Sequence, residues 1–312
     1  MADLMPRDGI FPSDGAILVT GSSGFVGRRL VRRLRSDGYR VYETTRSRSG
    51  GDEDQLFFDL FDRNSIAKAF EQSKPAAIIH LAAQSSVSGS NSSPLEAWST
   101  NAGGAMNICF AAMEVAIAPA VIFASSTEVY GGAFNRGTAT EGCLPEPMNP
   151  YARSKLAAEH IFLDAYPAYA PLVIARPANH SGVGQDDRFA LPSFAKQLRD
   201  GAETIRVGNI GVRRDFLHVE DVVNAYVFLL QGMLRHDRGE TFNISSGISP
   251  TLRQLLERMM VLADSKADIV VDPDRMRLSD IEEALVDNLK LITATEWQPK
   301  RSLDDLLTEL LS

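Results

Sequence analysis

Tyr151-Ala152-Arg153-Ser154-Lys155 sets a phenol and an amine four residues apart. On a helix opened by Pro150 the two share one face, a single turn apart. A free tyrosine holds its proton to about pH 10, so it needs help to exchange one near neutrality. An ammonium group one turn away favours the phenolate, which makes the pair a candidate acid/base. Upstream, FASSTEVYG (residues 123–131) brings the hydroxyls of Ser125, Ser126 and Thr127 and the carboxylate of Glu128. A second cluster, Thr20-Gly21-Ser22-Ser23-Gly24-Phe25-Val26-Gly27, spaces its glycines G-x-x-G-x-x-G. Gly21 permits a sharp turn, Gly24 lets backbone approach a pyrophosphate, and Gly27 allows close helix–strand packing. Phosphates held there would meet the free N–H groups of a helix N-terminus.

These groups need a frame. Short β-branched runs at residues 16–20, 40–44, 55–58, 77–81, 120–124 and 172–176 alternate with helical patterns. The helical patterns cover residues 25–36, 64–72, 94–116 and 150–166. Nearly continuous apolar strands alternating with helices predict a parallel sheet covered on both faces by right-handed crossovers. The glycine loop then follows the first strand, and FASSTEVYG follows a later one. Ligands of such sheets bind at the carboxyl ends of the strands. The expected fold is therefore α/β, a doubly wound parallel Rossmann sheet with a smaller interleaved C-terminal α/β lobe. The division expected is residues 1–179 plus 212–238 for the dinucleotide domain and 180–211 plus 239–312 for the lobe, with a strand at residues 240–244 in the lobe. Residues 85–93 read as a serine-rich loop.

The end of the second strand bears on which nicotinamide cofactor fits. An acid there would hold a ribose 2′-OH, and an arginine accommodates a 2′-phosphate. Glu43 reads as mid-strand, leaving Thr45-Arg46 at the discriminating position with Arg48 nearby. This favours NADP(H), with NAD(H) the alternative. Asp59-Leu60, after the third strand, is placed to reach an adenine or simply to end a strand.

Composition narrows the class. The 312 residues carry 32 basic and 40 acidic side chains, a net charge of −8, which argues against nonspecific binding to nucleic acid or anionic membrane. Cys109 and Cys143 are too few for a disulfide framework, and neither sits in a metal-ligand spacing, so no metal is expected. No apolar run reaches the ~18 residues of a membrane span, and the first fourteen residues lack a signal-peptide core. The expectation is a cytoplasmic protein in a reducing compartment. His80 ends a strand and His218 precedes a helix, so both read as packing or capping residues.

Taken together the motifs resemble the extended short-chain dehydrogenase/reductases, the group of nucleotide-sugar epimerases, dehydratases and reductases. The resemblance runs through TGSSGFVG, His80-Leu81-Ala82-Ala83-Gln84, residues 125–131, YARSK, Arg176-Pro177-Ala178-Asn179-His180, Arg213-Arg214-Asp215-Phe216 and Glu296-Trp297-Gln298-Pro299. Within that group NHSGVGQ, SFAKQL, VGNIGVRRDF and FNISSG are most similar to GDP-4-keto-6-deoxy-D-mannose reductases, and next to GDP-mannose 4,6-dehydratases.

The resemblance implies roles residue by residue. Tyr151 would protonate a C4 oxygen, Ser126 would polarise the same carbonyl, and Lys155 would tune Tyr151 and hold the nicotinamide ribose. Leu81, Ala82, Ala83 and Gln84 would pass beside the cofactor with the glycine loop, Asn101 would support Lys155, and Pro177 and Ala178 would meet the carboxamide. Ser86, Glu128 and Asn179 would face the sugar nucleotide, with Arg214 and Arg277 gripping its diphosphate, a task suited to guanidinium. Arg214 paired with Asp215 or Asp221 is the structural alternative. Glu128 matches the dehydratases' base, so a dehydratase remains the second reading, a 4-epimerase the third and a non-catalytic dinucleotide sensor the last. The family's usual pairing through two helices, residues 94–116 and 150–166, implies a homodimer.

Overall fold

The computed structural model describes residues 15–47, 52–276 and 281–312. Strands and helices alternate through the first half. They run β1 (Ile17–Thr20), α1 (Phe25–Ser36), β2 (Val41–Thr45), β3 (Gln55–Phe57), α2 (Arg63–Ser73), β4 (Ala77–His80), α3 (Val87–Ser92) and α4 (Pro94–Ala97). A π-helical turn (Trp98–Gly103) then leads into α5 (Gly104–Glu114), β5 (Ala120–Ala124), α6 (Pro150–Ala165) and β6 (Leu172–Pro177). Beyond these come β7 (Asn179–Ser181), α7 (Ala190–Arg199), β8 (Thr204–Val207), β9 (Arg213–Arg214), β10 (Phe216–His218), α8 (Val219–Gly232) and β11 (Glu240–Ile244). The chain closes with α9 (Leu252–Leu262), β12 (Asp268–Val271), β13 (Glu283–Ala284), α10 (Leu289–Thr295) and α11 (Leu303–Leu311).

Seven strands form one sheet in the order β11-β6-β5-β4-β1-β2-β3, every pair parallel. The central strands β1, β4 and β5 are buried along their whole length, as apolar runs with both faces covered require. One face packs Ile17, Ile79, Ile122 and Val173 against α1 and α8, and the other packs Leu18, Ile78, Val121 and Phe123 against α2, α5 and α6. This is the expected doubly wound Rossmann sheet. A smaller core joins α7, α9 and α11 to β8 through Phe194, Ile205, Leu256, Met259 and Leu307.

Three local expectations are corrected. Residues 240–244 do not lie in the lobe: β11 pairs with β6 along its length and buries Phe242 and Ile244 in the main core, so a boundary at residue 239 cuts through one sheet. The serine-rich stretch is not a loop. Ser86 caps α3 by accepting from Gly89 N at 3.1 Å, and Ser90 returns its hydroxyl to the Ser86 carbonyl at 2.8 Å. The helix expected over residues 94–116 is interrupted by the π-helical turn, which ends at the adjacent glycines Gly103 and Gly104, residues of low helix propensity.

Candidate active site

The glycine loop leaves β1 at Thr20 and enters α1 with Gly24 as an N-cap that has no side-chain cap bond, and no acid stands in the first turn. The N–H groups of the first turn of α1 are therefore available to an anion. The loop is fastened to β2: Gly21 N donates to Thr44 Oγ1 at 3.2 Å, and Ser22 Oγ donates to the Thr44 carbonyl at 3.0 Å. Gly21 has φ +68°, and a Cβ there would stand 2.8 Å from Ala82 N; at Gly27 it would meet Gly21 O at 2.1 Å. Only glycine permits this cradle, and it brings the loop against Leu81 and Ala82, with Ala82 N donating to Thr20 Oγ1 at 3.2 Å. Ser23 and Gly24 are exposed on its open side, with Phe25 and Val26 half-buried behind. The residues present fit a dinucleotide pyrophosphate.

Thr45 ends β2, and Arg46 stands exposed beyond it; Arg48 lies outside the described residues. Glu43 is mid-strand and bridges Arg35 at 2.8 Å. Asp59 accepts from Phe61 N at 3.0 Å in its own turn, while Leu60 is buried beneath Gly104. Gln84 is joined to Asn101 twice, its N–H donating to Oδ1 at 2.9 Å and its carbonyl receiving Nδ2 at 3.1 Å. Asn101 sits in the π-helical turn and also donates to Ser154 Oγ at 2.9 Å, so it braces α6 next to Lys155 rather than touching the amine. Pro177 receives the Thr127 hydroxyl on its carbonyl at 3.3 Å, and Ala178 N bonds the end of β11 at 2.8 Å.

The end of β5 and the start of α6 bring three of the expected groups together. Asn149 caps α6 by accepting from Ala152 N at 2.8 Å, and Pro150 fixes the first turn. Tyr151, 8% exposed, has the Ser126 hydroxyl beside its phenol. Burial pushes that phenol up to about 12, the Ser126 hydroxyl acting against this and the nearby Glu128 adding to it. Lys155 is buried and donates to the Ala124 carbonyl at 2.6 Å, its amine 5.0 Å from the Phe123 ring centroid. Burial pulls that amine down to about 7, and Glu159 acts to raise it. Burial, and not the expected pull of Lys155, sets the state of the phenol, and Tyr151 keeps its proton. Glu128 is half-buried and receives Asn149 Nδ2 at 3.0 Å.

Of the other expected residues, Ser86 is buried as the cap of α3, and Asn179 is exposed on β7. Arg214 is buried and donates to the carbonyls of Arg213 and Ile281 at 2.8 and 2.7 Å. Arg277 lies outside the described residues. Asp215 and Asp221 serve backbone instead: Asp215 receives Ser246 N and Gly247 N at 3.0 Å each, and Asp221 receives Lys300 N and Arg301 N at 3.1 and 2.9 Å. His218 caps α8 by accepting from Glu220 N at 3.1 Å, and buried His80 meets Thr20 Oγ1 at 2.7 Å. Among the described residues no group of His, Cys, Asp and Glu could hold a metal ion, and no helix is long and apolar enough to cross a membrane.

Asn149 escaped the motif reading, although an Asn before a Pro at a helix start is a capping signal. Glu159, which receives the hydroxyl of Ser125, carried no comparable signal.

The NAD dependent epimerase/dehydratase family model matches residues 17–245. The chain is 32% identical over 305 residues to a GDP-6-deoxy-D-mannose reductase of Pseudomonas aeruginosa, covering 95% of this chain and 96% of the relative. A GDP-6-deoxy-D-talose 4-dehydrogenase of Aggregatibacter actinomycetemcomitans is 28% identical over 277 residues, 88% of this chain and 90% of that one. Among solved structures, RMD from Pseudomonas aeruginosa complexed with NADPH superposes with a TM-score of 0.81 at 31% identity, covering 95% of this chain and 97% of its own. Glycine cradle, serine-bearing strand end and Tyr-x-x-x-Lys helix stand here on one parallel sheet, and with a family match over most of its length the chain belongs to the NAD dependent epimerase/dehydratase family of nicotinamide-dinucleotide enzymes.

Proposed function

We propose that the protein reduces the C4 keto group of a nucleotide-diphospho-4-keto-6-deoxy-hexose, GDP-4-keto-6-deoxy-D-mannose first, to GDP-D-rhamnose. The observation that carries this reading is near full-length similarity to a GDP-6-deoxy-D-mannose reductase combined with the Ser126 hydroxyl placed beside the buried Tyr151 phenol, one helical turn from Lys155. A reduced nicotinamide, when bound, supplies the hydride that C4 receives. Tyr151 holds the proton the C4 oxygen needs, and its high proton affinity keeps it loaded at neutral pH. Ser126, beside that phenol, would donate to the same oxygen as charge develops on it. Lys155, released from the Ala124 carbonyl, would hold the nicotinamide ribose and put positive charge beside Tyr151. Ser86, Glu128 and Asn179 would read the sugar, and Arg214 and Arg277 the diphosphate. The glycine loop with Leu81, Ala82, Ala83, Gln84, Asp59, Leu60, Pro177 and Ala178 would hold the cofactor.

NADP(H) is the preferred form on this reading, because Glu43 is engaged by Arg35 and Arg46 stands free at the strand end. The enzyme would work in the cytoplasm as a homodimer. Leu95, Trp98, Met106, Phe110 and Met113 are exposed along α4, the π-helical turn and α5, a stripe that a second copy would cover. Light scattering at the monomer mass would overturn the dimer.

The deciding experiment gives the protein GDP-4-keto-6-deoxy-mannose with NADPH or NADH and, separately, GDP-mannose with NADP. Loss of reduced cofactor in the first tube with no keto sugar in the second is expected. Glu128, held by Asn149, supports a 4,6-dehydratase as the second reading, and a keto product in the second tube would establish it.

A further inference from the structure

Three successive residues at the end of β5 each engage one residue of a single face of α6. Ala124 offers its carbonyl to Lys155, Ser125 gives its hydroxyl to Glu159, and the Ser126 hydroxyl lies beside Tyr151. Tyr151, Lys155 and Glu159 are i, i+4 and i+8 on that helix. The third member is not part of the reaction derived above. Its carboxylate is 2% exposed and fully occupied: Oε1 receives Ser125 Oγ and Arg176 Nε at 2.9 Å, and Oε2 receives Arg176 Nη2 at 2.6 Å. Arg176 reaches it from β6 with its guanidinium 4.9 Å from the Tyr130 ring centroid, and Tyr130 is anchored on Asn243 at 2.7 Å.

Two features argue that this pair does more than hold the core. A buried ion pair is often no more stabilising than apolar residues of the same volume, so stability alone is a poor reason for one. The pair is also unevenly disposed towards Lys155, because Glu159 lies one helical turn away while Arg176 approaches from behind it. We infer that Glu159 is a positioning residue of the proposed reduction, its carboxylate locked by Arg176 and Ser125 so that it fixes the charge and place of Lys155 beneath Tyr151. This rests on the reading that Tyr151 and Lys155 work together in catalysis.

The other titratable groups facing the pair leave Glu159 as the near counter-charge. His80, from β4, is pushed down to about 3 by burial and by Lys155, so it adds no positive charge. Glu128 and Tyr226 face Tyr151, and Tyr130 faces Arg176. Glu159 alone acts to raise the Lys155 amine against its burial.

The test follows Lys155 directly. In cofactor-free protein with 13Cε-labelled lysines, the Lys155 resonance is identified by its loss in Lys155→Arg and titrated with pH. Glu159→Gln strands the Arg176 charge, so Glu159→Gln/Arg176→Gln, which removes both charges, is the main variant. The double variant is expected to lower the Lys155 midpoint by about one pH unit or more, and to cut kcat about tenfold at neutral pH with KM unchanged. A wild-type midpoint and kcat in that variant would overturn the proposal, because a merely structural pair predicts both. If neither variant folds, Ser125→Ala keeps both charges and frees Oε1; an unmoved midpoint there overturns the proposal equally. Should wild-type protein reduce no keto sugar, a midpoint that still moves would preserve the role of Glu159 and sink the proposed reaction instead.

Discussion

The shelf formed by β5 and α6 and the face formed by β7, β9 and the loop after β11 are built to opposite specifications. On the shelf, Ser126, Tyr151 and Lys155 are buried and adjoin one another, with Lys155 held by the Ala124 carbonyl. The lobe face rests on β7 of three residues and β9 of two, with Asn179 exposed and Arg214 held by backbone carbonyls. Reacting atoms need fixed geometry, since small displacements weaken proton transfer steeply. A substrate-gripping face must admit and release a large ligand, and short elements with few shared hydrogen bonds open at low free energy. On the proposed roles, the contrast is between a rigid site of chemistry and a compliant site of recognition.

The largest effect expected from that contrast is on the shelf. Tyr151→Phe should lower kcat by roughly 100- to 10,000-fold and leave NADPH binding, followed by fluorescence, unchanged. An active Tyr151→Phe enzyme would end the claim that this shelf does the chemistry. On the lobe face, Arg214→Ala should raise KM for the keto sugar by about tenfold to a hundredfold, with kcat changing far less. If Arg214→Ala lowers thermal stability and leaves KM alone, its carbonyl bonds are its purpose and the face must grip the diphosphate elsewhere.

The chemistry was easier to read than the grip for the same reason. The glycine loop, the Tyr-x-x-x-Lys pair and the strand–helix alternation are local patterns, set by spacings within one turn or one strand. Arg214 is different: only the fold shows that its partners include the Ile281 carbonyl 67 residues away. The same holds for β11, whose five residues read equally well as a lobe strand until pairing with β6 decides the matter. It holds for Glu159, an ordinary helix glutamate until Arg176 arrives from another strand. The π-helical turn and the helix inside the serine-rich stretch carry bonds between the side chains of Asn101 and Ser86 and nearby backbone, which composition does not report.

The two regions should also respond to pH with opposite sign. Folded Lys155 holds its proton only to about 7, against 10.5 for an unperturbed lysine. Between these values the unfolded state binds more protons, so stability from this group rises with pH, by at most about 1.4 kcal/mol per pH unit. Asp215, on the lobe face, is raised by burial from 3.8 to about 6. There the folded state binds more protons, and stability from this group falls as pH climbs through that window. Urea unfolding of Lys155→Met should lose the rise between pH 7 and 9, and Asp215→Asn should lose the fall between pH 4 and 6. The same slopes in wild type and variants would mean that these groups are not titrating as described.

The smallest effect expected is at the cofactor's far end. Arg46→Ala should weaken NADPH binding by a few-fold, as for an exposed ion pair, and leave NADH untouched. Equal loss for both cofactors would remove the basis for preferring NADP(H).

Trp297 carries a consequence of another kind. Its indole is buried in the main core and donates to the Asp221 carbonyl, 76 residues upstream, while Asp221 receives the amides of Lys300 and Arg301. The sheet's own core is thus completed by a segment synthesised after most of the lobe, with only α11 still to follow. A nascent chain emerging from the ribosome cannot seal its first domain and move on to the second, because the stitch that closes α8 comes late. Contacts of such long sequence separation slow folding, and the partly made chain leaves apolar surface on α8 open in the meantime. The molecule is one cooperative object in time as well as in space, and its vulnerable period is its own translation.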